Sequence, residues 1–120
     1  MKSYRELRVW DDSMDLAVQI YEITTTFPKY EQYGLGSQMQ RAAVSIPSNI
    51  AEGNSRHSTK ENLHHLRYAL GSLSELTTQI ELSFRLHYFV SEQKEKLMAN
   101  CDIVGKKISN LVNSLQRLVE

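Results

Sequence analysis

Leu97, Cys101, Val104, Ile108, Leu111, Leu115 and Leu118 follow one another at alternating steps of four and three residues. Such a run is a heptad seam, and an α-helix turns those positions to one side. A seam of this kind needs other helices to lie against, and the rest of the chain supplies them. Trp10, Met14, Ala17, Tyr21 and Thr24 recur at steps of three and four, with Leu16, Ile20, Ile23 and Phe27 as a neighbouring row. Together they predict a helix over 10–27 with a wide apolar sector. Asp11, Asp12 and Asp15 suit the positive end of its dipole, and Pro28 stops it. Ser58 and Glu61 form a capping-box pattern that opens a helix over 59–88. Its stripe is Asn62, Leu66, Ala69, Leu73, Leu76, Ile80 and Ser83. The seam helix is predicted over 92–118, with Ser91 as its N-cap.

The stretch between the first two loops decides the helix count. Leu35, Met39, Ala42, Ala43, Ile46 and Ile50 keep one apolar phase through Pro47. A chain that turned at Pro47 would have no reason to preserve that phase. One helix is therefore predicted over 36–53, kinked at Pro47, where the proline withholds a donor from the Ala43 carbonyl. Gly34 and Gly36 are assigned to the preceding turn, and Gly53 to a left-handed C-terminal position. Four helices joined by short loops predict an all-α, antiparallel up-down-up-down four-helix bundle, with residues 1–120 as one domain.

The same helix carries a polar stripe. Gln38, Arg41, Ser45, Asn49 and Glu52 lie on one side, and Tyr68, Ser72, Glu75 and Gln79 make a comparable set on the third helix, extended by Leu82 and Leu86. Two readings are open. The stripe is an ordinary solvated face, or it is a partly buried network in which Arg41 pairs with Glu75. A third helix with two useful faces suggests a second contact surface, most simply between subunits.

Composition narrows the function classes. Fourteen basic and fourteen acidic side chains leave no net charge, unlike a dedicated nucleic-acid binder. Lys2, Arg5 and Arg8, and the pair Lys106–Lys107, are the local basic clusters, each diluted by nearby acids. Cys101 is the single cysteine, so the chain has no internal disulfide. No segment approaches the ~20 apolar residues of a membrane span, and the first residues lack the apolar core of a signal peptide. A cytoplasmic protein with no membrane association is expected. His64 and His65 are adjacent and cannot form an i, i+4 metal pair. No nucleophile elbow, phosphate loop or carboxylate constellation is present. No catalytic residue, cofactor, metal or small-molecule substrate is therefore predicted.

The segments "LRVWDDSMDLAVQIYEITTTFP", "YGLGSQMQRAAVSIPSNIAEG" and "YALGSLSELTTQIELSFRLHY" resemble the four-helix bundle proteins named after open reading frames in intervening sequences of bacterial 23S ribosomal RNA genes. The matching positions are Gln38, Arg41, Ser45, Ile46, Asn49, Ala51, Glu52 and Gly53, then Gly71, Ser72, Leu73 and Glu75. The resemblance runs from Leu7 to about Phe89, with the last helix matching in pattern alone. It implies a non-enzymatic interaction or scaffold protein that forms a homopentamer and associates with RNA or a ribonucleoprotein partner. It also relates the chain to the basic, nucleic-acid-binding accessory variability proteins of diversity-generating retroelements, from which this neutral chain departs in charge. The alternative expectation is direct RNA or DNA binding by the assembled ring.

Overall fold

The computed structural model describes residues 3–120; Met1 and Lys2 lie outside the described residues. Four helices form the bundle: α1 (Arg8–Thr24), α2 (Leu35–Asn54), α3 (Thr59–Arg85) and α4 (Ser91–Gln116). Short 3-10 turns at Tyr4–Glu6 and Lys29–Glu31 precede α1 and α2. The body measures 46 × 23 × 22 Å. Its length matches that of α3, whose 27 residues span roughly 40 Å at 1.5 Å each.

The core is the set of apolar rows facing inward. Leu16, Ile20, Met39, Ile46, Ile50, Leu66, Leu76, Ile80, Val104 and Ile108 are essentially inaccessible. Helix α2 is continuous through Pro47, which is itself buried. The apolar phase that persists across the proline is thus the phase of one helix. Ser58 caps α3 by accepting from the Glu61 amide at 3.3 Å.

Several boundaries and roles differ from expectation, each for a local reason. Helix α1 starts at Arg8 and stops at Thr24, short of Phe27. Thr24, Thr25 and Thr26 donate their hydroxyls to the carbonyls of Tyr21, Glu22 and Ile23, so the last turn gives way to a turn before Pro28. Phe27 still enters the core, stacking against Phe89 with ring centroids 6.3 Å apart. Gly36 is helical and buried rather than a turn residue; a Cβ there would lie 3.1 Å from the Glu31 carbonyl oxygen. Gly53 is likewise helical, since no glycine has positive φ, and α2 runs one residue past it. Val90, not Ser91, is the N-cap of α4, and its amide donates to Gln93 Oε1 at 3.2 Å.

Helix α3 ends at Arg85 rather than at 88. The Tyr88 amide donates to the Ser83 carbonyl at 3.0 Å and the His87 amide to that of Phe84 at 2.9 Å, the two bonds of a Schellman motif. His87 occupies its left-handed position, with φ of 65°, where glycine is the favoured residue. His87→Gly is therefore expected to raise stability by about 0.5–1 kcal/mol, read as a shift of the urea midpoint at constant m-value.

At the same end of the bundle, Glu31 joins two connections. One carboxylate oxygen accepts from the Leu35 amide at 3.0 Å and the other from the Tyr88 hydroxyl at 2.6 Å. Gly34 makes room, because a Cβ there would stand 2.7 Å from Glu31 Oε1. The Tyr88 bond, then the Leu35 amide, holds the Glu31 carboxyl below its ordinary value. A lowered folded pKa means stability that is present above the unfolded carboxylate value of about 4.3 and lost as pH falls through the folded one. Wild type is therefore expected to melt above Glu31→Gln at pH 6, with the gap closing as pH drops below about 4.

Candidate interaction surface

Helices α2 and α3 meet along a polar seam on one side and close-packed backbone at one end. Ser45 Oγ and Ser72 Oγ share a hydrogen bond of 2.8 Å. Asn49 Nδ2 donates to the Ser45 carbonyl at 2.9 Å and to Ser45 Oγ at 3.0 Å. Asn49 Oδ1 lies 3.1 Å from His65 Nδ1, and His65 Nε2 is 4.0 Å from Glu52 Oε1. Glu52 is half exposed and bridges to Arg56 one turn on, at 2.9 Å, a contact worth little in water. Gly53 closes the row. A Cβ there would stand 2.8 Å from both Asn62 Oδ1 and the His65 Cβ, so glycine sets how closely the two helices approach.

Of the stripe expected from the sequence, Ser72, Ser45, Asn49 and Glu52 form one row: Ser72 meets Ser45, Ser45 meets Asn49, and Asn49 and Glu52 lie against His65, which periodicity did not single out. Gln38, Arg41 and Glu75 are exposed. The Arg41–Glu75 ion pair is not formed: it is absent among the salt bridges of the described residues. Ser45 against Ser72 fixes an antiparallel register that places Arg41 level with Leu76, one residue from Glu75, yet Arg41 and Glu75 both project outward instead of into the seam. Gln79 is buried with its Oε1 lacking a hydrogen bond, as does Asn62 Oδ1.

A second feature lies on the other flank of α2. Trp10, Met14, Val18 and Tyr21 of α1 and Val44, Pro47 and Ala51 of α2 line an open apolar groove of about 580 Å³. Met14, Val18, Tyr21 and Val44 are 40–54% exposed, so part of the wide sector read from α1 faces solvent rather than core. Val18 and Val44 escaped the sequence reading. Their signal was an apolar arc too wide for one buried face. Arg41 sits at the rim, beside Tyr21, Val44 and Ser45. On α3, Tyr68, Leu82 and Leu86 are 58, 48 and 44% exposed.

None of this geometry builds a reactive centre. Burial, then the adjacent Asp102, pushes the Cys101 thiol up to about 12, leaving it protonated at neutral pH. Among the described residues, no group of three or more His, Cys, Asp or Glu side chains is placed to hold a metal ion. No helix of the described residues is long and apolar enough to cross a membrane.

The sequence matches the 23S rRNA-intervening sequence protein family over residues 5–110. The chain belongs to that family. The match takes in the polar seam, the groove and most of α4. A solved structure similar to this 23S rRNA-intervening sequence protein is a protein of unknown function from the S23 ribosomal protein family of Bacteroides thetaiotaomicron. It superposes with a TM-score of 0.82 at 24% identity, over 88% of this chain and 95% of that one. That likeness is one of fold. No curated protein matches the chain.

Proposed function

We propose that this 23S rRNA-intervening sequence protein is a non-enzymatic, cytoplasmic scaffold that assembles as a homopentamer and associates with RNA or a ribonucleoprotein partner. The observation that carries the reading is the pair of unlike exposed surfaces. One is the apolar groove of α1 and α2; the other is the outer stripe of α3 with Tyr68, Leu82 and Leu86. A subunit bearing two different, non-self-complementary faces joins head to tail, and head-to-tail contacts that close make rings. The family's description supplies the link to ribosomal RNA. Multi-angle light scattering after gel filtration is expected to give about five times the 13.8 kDa of one chain. A species of single-chain mass at micromolar concentration would end the proposal.

A second reading, direct RNA or DNA binding by the ring, is favoured by one end of the bundle. The start of α1, the α2–α3 connection and the end of α4 gather there. Arg5, Arg8, Arg56, Lys60 and Arg117 are all exposed at that end, interleaved with Glu6, Glu52 and Glu61. Repetition around a ring multiplies weak phosphate contacts. Binding of a labelled RNA at ~50 mM salt that weakens steeply toward ~200 mM supports this reading; no binding at the lower salt removes it.

A further inference from the structure

Tyr30 and Tyr33 stand on the connection between α1 and α2 with 77 and 90% of their surface in water. Tyr33 buries so little that its side chain contributes almost nothing to the fold. Tyr30 is exposed but not loose. Tyr88 donates its hydroxyl to Glu31 Oε2 at 2.6 Å, which leaves the Tyr88 oxygen to accept. The 3.2 Å contact between the Tyr30 and Tyr88 hydroxyls is therefore a donation from Tyr30. Tyr88 itself packs on Phe27, with ring centroids 5.0 Å apart, and Phe27 belongs to the core. The tip of Tyr30 is tied to the body of the bundle while most of its ring stays in solvent. A side chain held in this way has already lost freedom that binding would otherwise take from it.

The backbone sets the two tyrosines in register. The amides of Gln32 and Gly34 donate to the carbonyls of Lys29 and Glu31 at 3.1 and 3.0 Å. These bonds between residues three apart carry the 3-10 pitch of Lys29–Glu31 on to Tyr33. Side chains three apart on such a turn eclipse, and their origins are separated by about 6 Å along its axis. Stacked bases lie about 3.4 Å apart, so a base inserted between two aromatic faces needs roughly 7 Å, close to the spacing that this turn provides. Lys29, next to Tyr30, is exposed and has no ion-pair partner among the described residues. Glu31 is the single acid on the α1–α2 and α3–α4 connections, and its two oxygens are taken by the Leu35 amide and the Tyr88 hydroxyl. Two flat faces and a free ammonium match a planar ring that carries an anion.

We propose that Tyr30 and Tyr33 form a stacking platform for an unpaired base of a single-stranded RNA, with Lys29 on the adjoining phosphate. Aromatic side chains take up splayed-out bases in this way, whereas a duplex keeps its base faces covered. Stacking on a base needs no charge, which suits a chain whose net charge is zero. The platform lies at the end of the bundle away from the start of α1 and the α2–α3 connection. It is thus separate from the phosphate contacts of Arg5, Arg8 and Lys60. It rests on the RNA association proposed above and names the RNA feature and the residues that meet it.

The test uses the full chain and a short fluorescein-labelled RNA without self-pairing, alone or annealed to its complement, read by anisotropy at ~50 mM salt. Wild type is expected to bind the single strand about tenfold or more tighter than the duplex. Tyr33→Ala is expected to weaken single-strand binding by about fivefold or more, and Tyr33→Phe, which keeps the ring, to stay within about twofold of wild type. Lys29→Ala is expected to take about one unit off the slope of log affinity against log salt. Both positions are exposed, so thermal melts followed by circular dichroism should leave the three variants folded and as stable as wild type. Wild type that binds neither form removes direct RNA contact and this platform with it. Wild type that binds RNA but favours the duplex, or that loses nothing on Tyr33→Ala, overturns the platform and leaves the RNA association standing.

Discussion

Leu76→Ala is expected to cost about 3–4 kcal/mol and to lower the melting temperature by roughly 12–15 °C. Leu76 is fully inaccessible and sits midway along α3, the helix that packs against both α2 and α4. The substitution removes a large aliphatic side chain from a set that includes Ile46, Ile80 and Val104. The helices packed against α3 are α2 and α4, so no small shift of one of them fills the void. Cost then includes lost transfer energy and a residual cavity. Thermal melts at fixed protein concentration check it, because self-association would make the midpoint depend on concentration. A change below about 1 kcal/mol would mean that the side chain is not enclosed as described.

Gly53→Ala is the second large effect, about 2–3 kcal/mol, or near 10 °C in the melting temperature. The new methyl group would stand 2.8 Å from Asn62 Oδ1 and from the Cβ of His65, and 3.2 Å from the Asn62 carbonyl oxygen. Two of these three neighbours are tied to the α3 main chain and cannot swing aside. The helices must part at that end, which also pulls His65 from Asn49. An internal control separates this cause from a general intolerance of glycine replacement. Gly71→Ala, where the added carbon meets nothing, is expected to leave the stability of the single folded chain unchanged or to raise it by up to about 1 kcal/mol. Equal losses at both positions would show that close helix approach is not what Gly53 supplies.

What could be read from the sequence follows from which interactions are local. The continuity of α2 through Pro47 was legible because apolar phase is carried by the residues themselves. So was the Ser58 cap, since both partners lie within one turn. The roles of Gly36 and Gly53 were not. Locally a glycine marks a turn; here it marks a place where another segment comes close, and that segment is Glu31 in one case and α3 in the other. The seam of α4 was correctly phased but over-extended. Leu97, Cys101, Val104 and Ile108 are buried, while Leu118 is 72% exposed. Helix α1 has 17 residues against 26 in α4, and the length of a facing helix is not written in the seam. Of the polar stripe, Ser45 meets Ser72 and Asn49 and Glu52 meet His65, but which residues of α3 they meet depends on the register of two helices. Arg41 and Glu75 were paired by spacing alone. Their outward direction is a property of the packed pair.

Glu31 fastens the α1–α2 crossing to the α3–α4 crossing, and both lie at one end of the molecule. The opposite end has a single crossing and both chain termini. The bundle is accordingly stitched on one side and open on the other, like a peg with its spring at one end. Thermal opening should start among Tyr4, the α2–α3 connection and the last turn of α4. Amide protons there should exchange with solvent well before those around Leu35 and Tyr88, and a protease should find its first cut at the unstitched end.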